Sequence, residues 1–153
     1  MENLNETTAV VKATDDTGNE LVLFGRAVKP MFCSMVAKTD TEKAQLFSVM
    51  NNPEYRLADE VNEVITMKDV FAEIVSITDK KTGEIVDVPR IVIIDENNKG
   101  HQCVSKGIFS AIQKIFMIYG VPTYNVPLKL KVTGINKDTN RILTLSVVQD
   151  AKK

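Results

Sequence analysis

The chain contains no tryptophan, one histidine (His101) and two cysteines. One histidine cannot build a His-rich metal site, and Cys33 and Cys103 are too far apart for zinc spacing. Nor do two distant cysteines in apolar surroundings form a disulfide framework, so they read as buried thiols. No Gly-x-x-x-x-Gly-Lys loop occurs, and no Gly-x-Gly-x-x-Gly sits at a strand-to-helix turn. An enzyme would need a nucleophile and a poised base. His101 stands beside a turn, among acidic neighbours and with no evident serine partner, and reads as exposed and solvated. The carboxylate pairs Asp15-Asp16, Asp59-Glu60 and Asp95-Glu96 fall in turn-like stretches with no visible cleft. The expectation is a binding module rather than an enzyme, with no metal and no nucleotide cofactor. No apolar run approaches the roughly 20 residues that cross a bilayer. Met1–Thr8 lacks the basic start and apolar centre of a secretory signal. A cytoplasmic protein with no membrane partner is expected.

What is present is an ordinary globular composition: 153 residues, 44% hydrophobic and 25% charged. That length suits one domain with a real core. The net charge of −1 hides a split. Residues 1–98 carry 10 Lys/Arg against 18 Asp/Glu, whereas residues 99–153 carry 9 against 2. So uneven a division suggests one surface meant for an anion.

Ala9–Ala13 and Glu20–Gly25 read as a hairpin around the turn-rich Thr14–Asn19. A short helix follows at about Thr41–Asn51, with Thr39 and Glu42 as a capping box and Pro53 as its stop. Its stripe of Leu46, Phe47 and Met50 is narrow, which places it on the surface of the body. Val64–Thr78 and Glu84–Asp95 are long strands joined by the turn Asp79–Gly83. Pro89 inside the second cannot donate to a ladder and marks an edge or bulge. His101–Val104 is a third strand. Ser105 then caps a helix with Ile108, Ile112, Ile115, Phe116 and Tyr119 on one face, ended by Gly120. Leu128, Leu130 and Val132 alternate with Lys129, Lys131 and Thr133, and Arg141–Gln149 closes the chain. The order strand, strand, strand, helix, strand, strand is that of the OB-fold, a five-stranded barrel. It is mainly β, with the N-terminal hairpin and short helix added. The organisation expected is a tail (1–8), the hairpin-and-helix extension (9–56), an OB core (57–149) and a second tail (150–153).

In that fold the ligand lies across strands two and three, flanked by the loops joining strands one to two and four to five. The first of these loops carries Lys80 and Lys81; the second carries Lys137 and ends at Arg141. Arg90 lies in the second strand, while Lys129 and Lys131 share one side of the fourth. Single strands are held by such cations together with flat rings that stack bases. Tyr55 beside Arg56, Tyr124 and Phe71 are the rings least explained by core periodicity; Phe24, Phe47, Phe109 and Phe116 are simpler as core.

Four runs carry a resemblance: Asp79-Lys80-Lys81-Thr82-Gly83-Glu84, Pro89–Asp95, Val104-Ser105-Lys106-Gly107-Ile108-Phe109 and Tyr119-Gly120-Val121-Pro122-Thr123. Over about Leu57–Val148 the chain resembles OB-fold single-stranded-DNA-binding proteins of phages and mobile elements of Gram-positive bacteria. The resemblance implies sequence-independent coating and protection of single-stranded DNA during phage or plasmid replication, in the cytoplasm of the bacterial host. Replication proteins would be possible partners. Cellular bacterial homologues end in an acidic tip that recruits such partners, whereas this chain ends Gln149-Asp150-Ala151-Lys152-Lys153, which puts tip-mediated recruitment in doubt. The alternative from another class is a small β-barrel for protein–protein contacts, as a virion or replisome adaptor.

Overall fold

A computed structural model describes residues 11–14, 20–23, 30–122, 126–137 and 140–149. The chain divides into two compact units, residues 1–30 and 31–153. In the first, β1 (Val11–Thr14) and β2 (Glu20–Leu23) form the expected antiparallel hairpin, with Val11 opposite Leu23. Ala9, Val10, Phe24 and Gly25 lie outside the described residues.

The second unit opens with β3 (Met31–Cys33), α1 (Asp40–Asn51), β4 (Tyr55–Arg56) and a single 3-10 turn at Leu57–Asp59. Then come β5 (Val64–Thr78), β6 (Ile85–Asp95), β7 (Gly100–Cys103), α2 (Lys106–Tyr119), β8 (Leu128–Lys137) and β9 (Asn140–Val147). Neighbours in the sheet run β4-β7-β6-β5-β8-β9, and β3 also pairs with β5. One strand holds this arrangement together. The start of β5, Val64–Met67, pairs with β8, while Met67–Thr78 pairs with β6. Between the two partners the register slips at Met67/Asp69. Such a bulge bends a strand and raises its twist, so β5 serves both halves of a curled half-barrel. From β5 onward the order is the OB-fold order, with α2 between the third and fourth barrel strands. The fold is therefore mainly β with two helices, of OB type. Pro89 sits where β6 has β5 opposite Ile74 but β7 has not yet begun, as a residue without an N–H requires.

Alternation along the strands makes two apolar layers. The inner one gathers Leu57, Ile65, Met67, Val70, Ile91, Ile93, Leu130, Val132 and Leu143 with Ile108, Ile112 and Ile115 of α2. Helix α2 is tightly specified. Ser105 Oγ accepts from the Ile108 N–H at 3.1 Å, and Gly120, at φ 87°, ends the helix by donating to the Phe116 carbonyl. It lies so close to β9 that a Cβ on Gly107 would stand 2.1 Å from the Leu143 carbonyl oxygen. Only glycine permits that approach.

The outer layer is smaller: Phe71, Val92 and Ile94 from the sheet and Val49 from α1, with Cys33, Met35, Leu46 and Met50 packed around them. Helix α1 carries the expected capping box, Thr39 Oγ1 accepting from Glu42 N–H and Glu42 Oε1 from Thr39 N–H. Its hold on the sheet is Val49 flanked by Leu46 and Met50. Phe47, expected in the core, is instead 64% exposed. Both cysteines are free, half-buried thiols. Burial pushes the Cys103 thiol up to about 12, against a smaller opposing pull from the Ser105 backbone.

Candidate nucleic-acid interface

The turn between β5 and β6 is built to display two cations. Asp79 Oδ1 accepts from the Lys81 N–H at 2.8 Å and the Thr82 N–H at 3.4 Å. The backbone closes through Gly83 N–H to the Asp79 carbonyl at 2.7 Å, with Gly83 at φ 75°. The Asp79 carboxylate thus binds backbone, and Lys80 and Lys81 stand exposed at the tip.

A second cationic stretch lies on β8. Buried Leu130 points inward, so Lys129 and Lys131 share the outward side and both are exposed. Across the ladders they face Thr66 and Val64 of β5, and Lys131 also faces Ser146 of β9. The register sets the two stretches at opposite ends of β5. Thr66 and Thr78 are separated by roughly 40 Å of strand if it ran straight, at about 3.3 Å per residue. The outer face of the sheet lies between them.

Part of that face is already occupied. Phe71, expected as a stacking ring, is 4% exposed beneath α1 and belongs to the outer apolar layer. Here β5 is covered on both sides, so the alternation that made its ring seem available does not apply. Arg90, expected to meet phosphate, locks three strands together instead. Its Nη1 donates to Glu73 Oε2 at 2.9 Å, and its Nε and Nη2 donate to Gln102 Oε1 at 3.3 and 3.2 Å. Arg141 has a similar task, donating from Nη2 to the Ala58 carbonyl at 2.8 Å and fastening β9 to the 3-10 turn. Lys137 ends β8, and its side chain, like Tyr124, lies outside the described residues.

Tyr55 and Arg56 form the two-residue strand β4 alongside β7, so their side chains leave it on opposite faces. The Tyr55 ring is 45% exposed and stacks on His101, with centroids 4.9 Å apart and planes at 23°. His101 is not the solvated residue the sequence suggested: it is 5% exposed. Its Nδ1 lies 2.8 Å from Glu60 Oε1 and its Nε2 lies 2.8 Å from Asp95 Oδ2. Both ring nitrogens therefore have a carboxylate oxygen within hydrogen-bond distance, one from each side of the ring. Burial alone would push the Asp95 carboxyl up. The bond from His101 and the N–H groups of Lys99 and Asn97 outweigh it and hold that carboxyl below its ordinary value. The result is a rigid backing for the Tyr55 ring. Beside it opens a depression of about 350 Å³ whose lining includes Glu60, Glu63, Asp95 and Glu96. A base can stack there, but the carboxylates repel phosphate.

Sequence reasoning missed the His101 cluster, the Arg90 lock and two exposed rings, Phe47 and Phe32. Phe32 packs against Phe116 at 5.5 Å. A signal for Phe47 existed: a helix as polar as Asp40–Asn51 has little apolar face to bury. Among the described residues no three His, Cys, Asp or Glu side chains are grouped to hold a metal ion. No described helix is long and apolar enough to cross a membrane.

An OB-type half-barrel with exposed cations at both ends of its long first strand is the form of a single-strand-binding domain. Residues 26–148 match the family model described as phage single-stranded DNA-binding protein. The chain belongs to that family, whose members are binding proteins, and single-stranded DNA is its partner in general terms. No curated protein and no solved structure matches it.

Proposed function

We propose that the protein coats single-stranded DNA without sequence preference and protects it while a phage or mobile element replicates in the host cytoplasm. The observation that carries this reading is the pair of exposed lysine stretches, Lys80-Lys81 and Lys129/Lys131, at the two ends of β5 in a chain of this family. Cations so separated engage a backbone at two points and read no base. Tyr55 next to Arg56 offers one stacking ring, which every base can use. Proteins that replicate the coated strand are then natural neighbours. This reading needs neither a metal nor a nucleotide cofactor, so binding should survive dialysis against EDTA, and a clear loss would show a missed site.

Titration of labelled oligo-dT at several salt concentrations tests the proposal. Four lysines that each neutralise a phosphate give a log–log slope of about −3, at roughly −0.7 per phosphate on a single strand. Equal affinity for duplex and single strand, or no dependence on salt, would overturn it.

A further inference from the structure

We infer that the groove between α1 and the β6–β7 turn receives an unstacked base of the bound strand; this rests on the proposed function. The groove has a volume of about 600 Å³, within the roughly 300–1,000 Å³ range of small-ligand clefts. One wall is α1, where Thr41, Gln45 and Ser48 recur at helical spacing and Val49 supplies apolar surface. The other is the turn Asn97–Lys99.

Both walls are fixed before any ligand arrives. The turn is tied by Asp95 Oδ1, which accepts from the N–H groups of Asn97 at 2.8 Å and Lys99 at 3.0 Å. Asn98, at φ 62°, donates its N–H to the Asp95 carbonyl. The Gly100 N–H donates to Glu54 Oε1 at 3.0 Å, joining the turn to the chain that leaves α1. The capping box fixes the other end of the helix.

The chemistry selects a neutral, polar, flat occupant. Amides and hydroxyls line the groove, and such groups both donate and accept, as the edge of a base requires. Asp40 and Glu54 also line it and disfavour phosphate, so the backbone of the strand would stay outside, where Lys99 is half exposed. One atom asks for a partner. Asn98 Oδ1 is buried and makes no hydrogen bond, a rare condition in folded proteins that calls for an explanation. Asn98 as a residue is only partly buried, so a turn of its amide toward the groove would let a base N–H, such as the N3–H of thymine, supply the missing bond. The location agrees, because α1 lies on the outer face of β6, and the outer face of strands two and three is where this fold carries its ligand.

The test compares oligo-dT with an abasic oligomer of equal length, at fixed salt, on the full chain. Ser48→Leu fills the groove, and Asn98→Gly removes the amide from a positive-φ position that glycine accepts. Wild type should prefer oligo-dT. Each variant should lose at least about fivefold of its dT affinity, the lower end for one base contact, with abasic affinity and salt slope unchanged. Variants that keep the full preference for dT, or lose both ligands equally, overturn the inference while the proposed function stands. A wild type that binds neither oligomer overturns the function and the groove with it. If Ser48→Leu lowers the melting temperature, Asn98→Gly decides.

Discussion

The two helices of the second unit invite comparison. Each begins with a side-chain cap, at Thr39 for α1 and Ser105 for α2, and they are close in length at 12 and 14 residues. Yet α2 buries Ile108, Ile112 and Ile115 in the inner layer, whereas α1 buries only Val49 in the outer one. The difference is one of function as much as of stability. Helix α2 completes a core that the half-barrel cannot complete with strands alone. Helix α1 lies over the sheet face on which an OB-fold meets its ligand, and what it covers there, Phe71, Val92 and Ile94, is lost to stacking. A polar groove along its flank remains.

Deep truncation in the inner layer should have the largest effect on stability. Ile112→Ala leaves a cavity among Ile108, Ile115 and the strands, and should cost about 3–4 kcal/mol, read as a drop in the urea midpoint with the slope unchanged. A loss below about 1 kcal/mol would mean that α2 is not the keystone of the inner layer.

Next comes the only ion cluster built around a buried histidine among the described residues. Replacing His101 with Leu takes from Glu60 and Asp95 the ring that each hydrogen-bonds in a largely buried site, at a cost of about 3 kcal/mol near neutrality. The pH dependence has a definite sign. Asp95 has a folded pKa below its ordinary value of 3.8. Its contribution is therefore complete above about pH 4 and is lost as pH falls through the depressed folded value. The His101→Leu variant keeps the Lys99 and Asn97 N–H bonds but loses the share of that depression due to His101, so its deficit relative to wild type should shrink on acidification. Melting curves between pH 3 and pH 7 decide, and a deficit that stays constant with pH would mean the cluster is not ionic.

The outer layer should respond more weakly. Val49→Ala removes two methyl groups from its main contact and should cost about 1.5 kcal/mol. Amide exchange in α1 should accelerate while exchange in α2 does not. If both helices quicken together, the two layers unfold as one and the contrast between them fails.

Much of this architecture was readable from pattern. The bounds of Val64–Thr78 and the whole of α2 follow from apolar periodicity over lengths where period is unambiguous. Strands β3 and β4, at three and two residues, are too short to carry a period and exist because β5 and β7 pair with them. The site was less readable, because charge is visible in a sequence while its partner is not. Arg90 finds Glu73 17 residues away and Arg141 finds Ala58 83 residues away. Of the two carboxylates that hold His101, Asp95 is one of the acidic neighbours that made it look solvated, while Glu60 arrives from 41 residues away. One clue to α1 went unread. The run Ile91-Val92-Ile93-Ile94 does not alternate, and an antiparallel strand that loses alternation is covered on both faces.

The smallest effect on stability, and the sharpest on binding, belongs to the lysines that neither layer uses. Lys80→Glu with Lys81→Glu changes an exposed turn whose hydrogen bonds all involve Asp79, Thr82 and backbone. The melting temperature should barely move, since such surface changes are within about 0.5 kcal/mol. Affinity for oligo-dT should fall by about tenfold or more at low salt, because two attractions to phosphate become repulsions, and the gap should narrow as salt screens them. Arg141 would be a poor companion probe: reversing its charge also breaks its bond to Ala58 and confuses folding with binding. Lys152→Glu with Lys153→Glu is the better control, since it applies the same charge change outside the barrel strands. Should the tail reversal cost as much affinity as the turn reversal, the attraction is diffuse and no directed path across the half-barrel exists. A tail variant that binds like wild type, beside a turn variant that does not, places the strand at the β5–β6 tip.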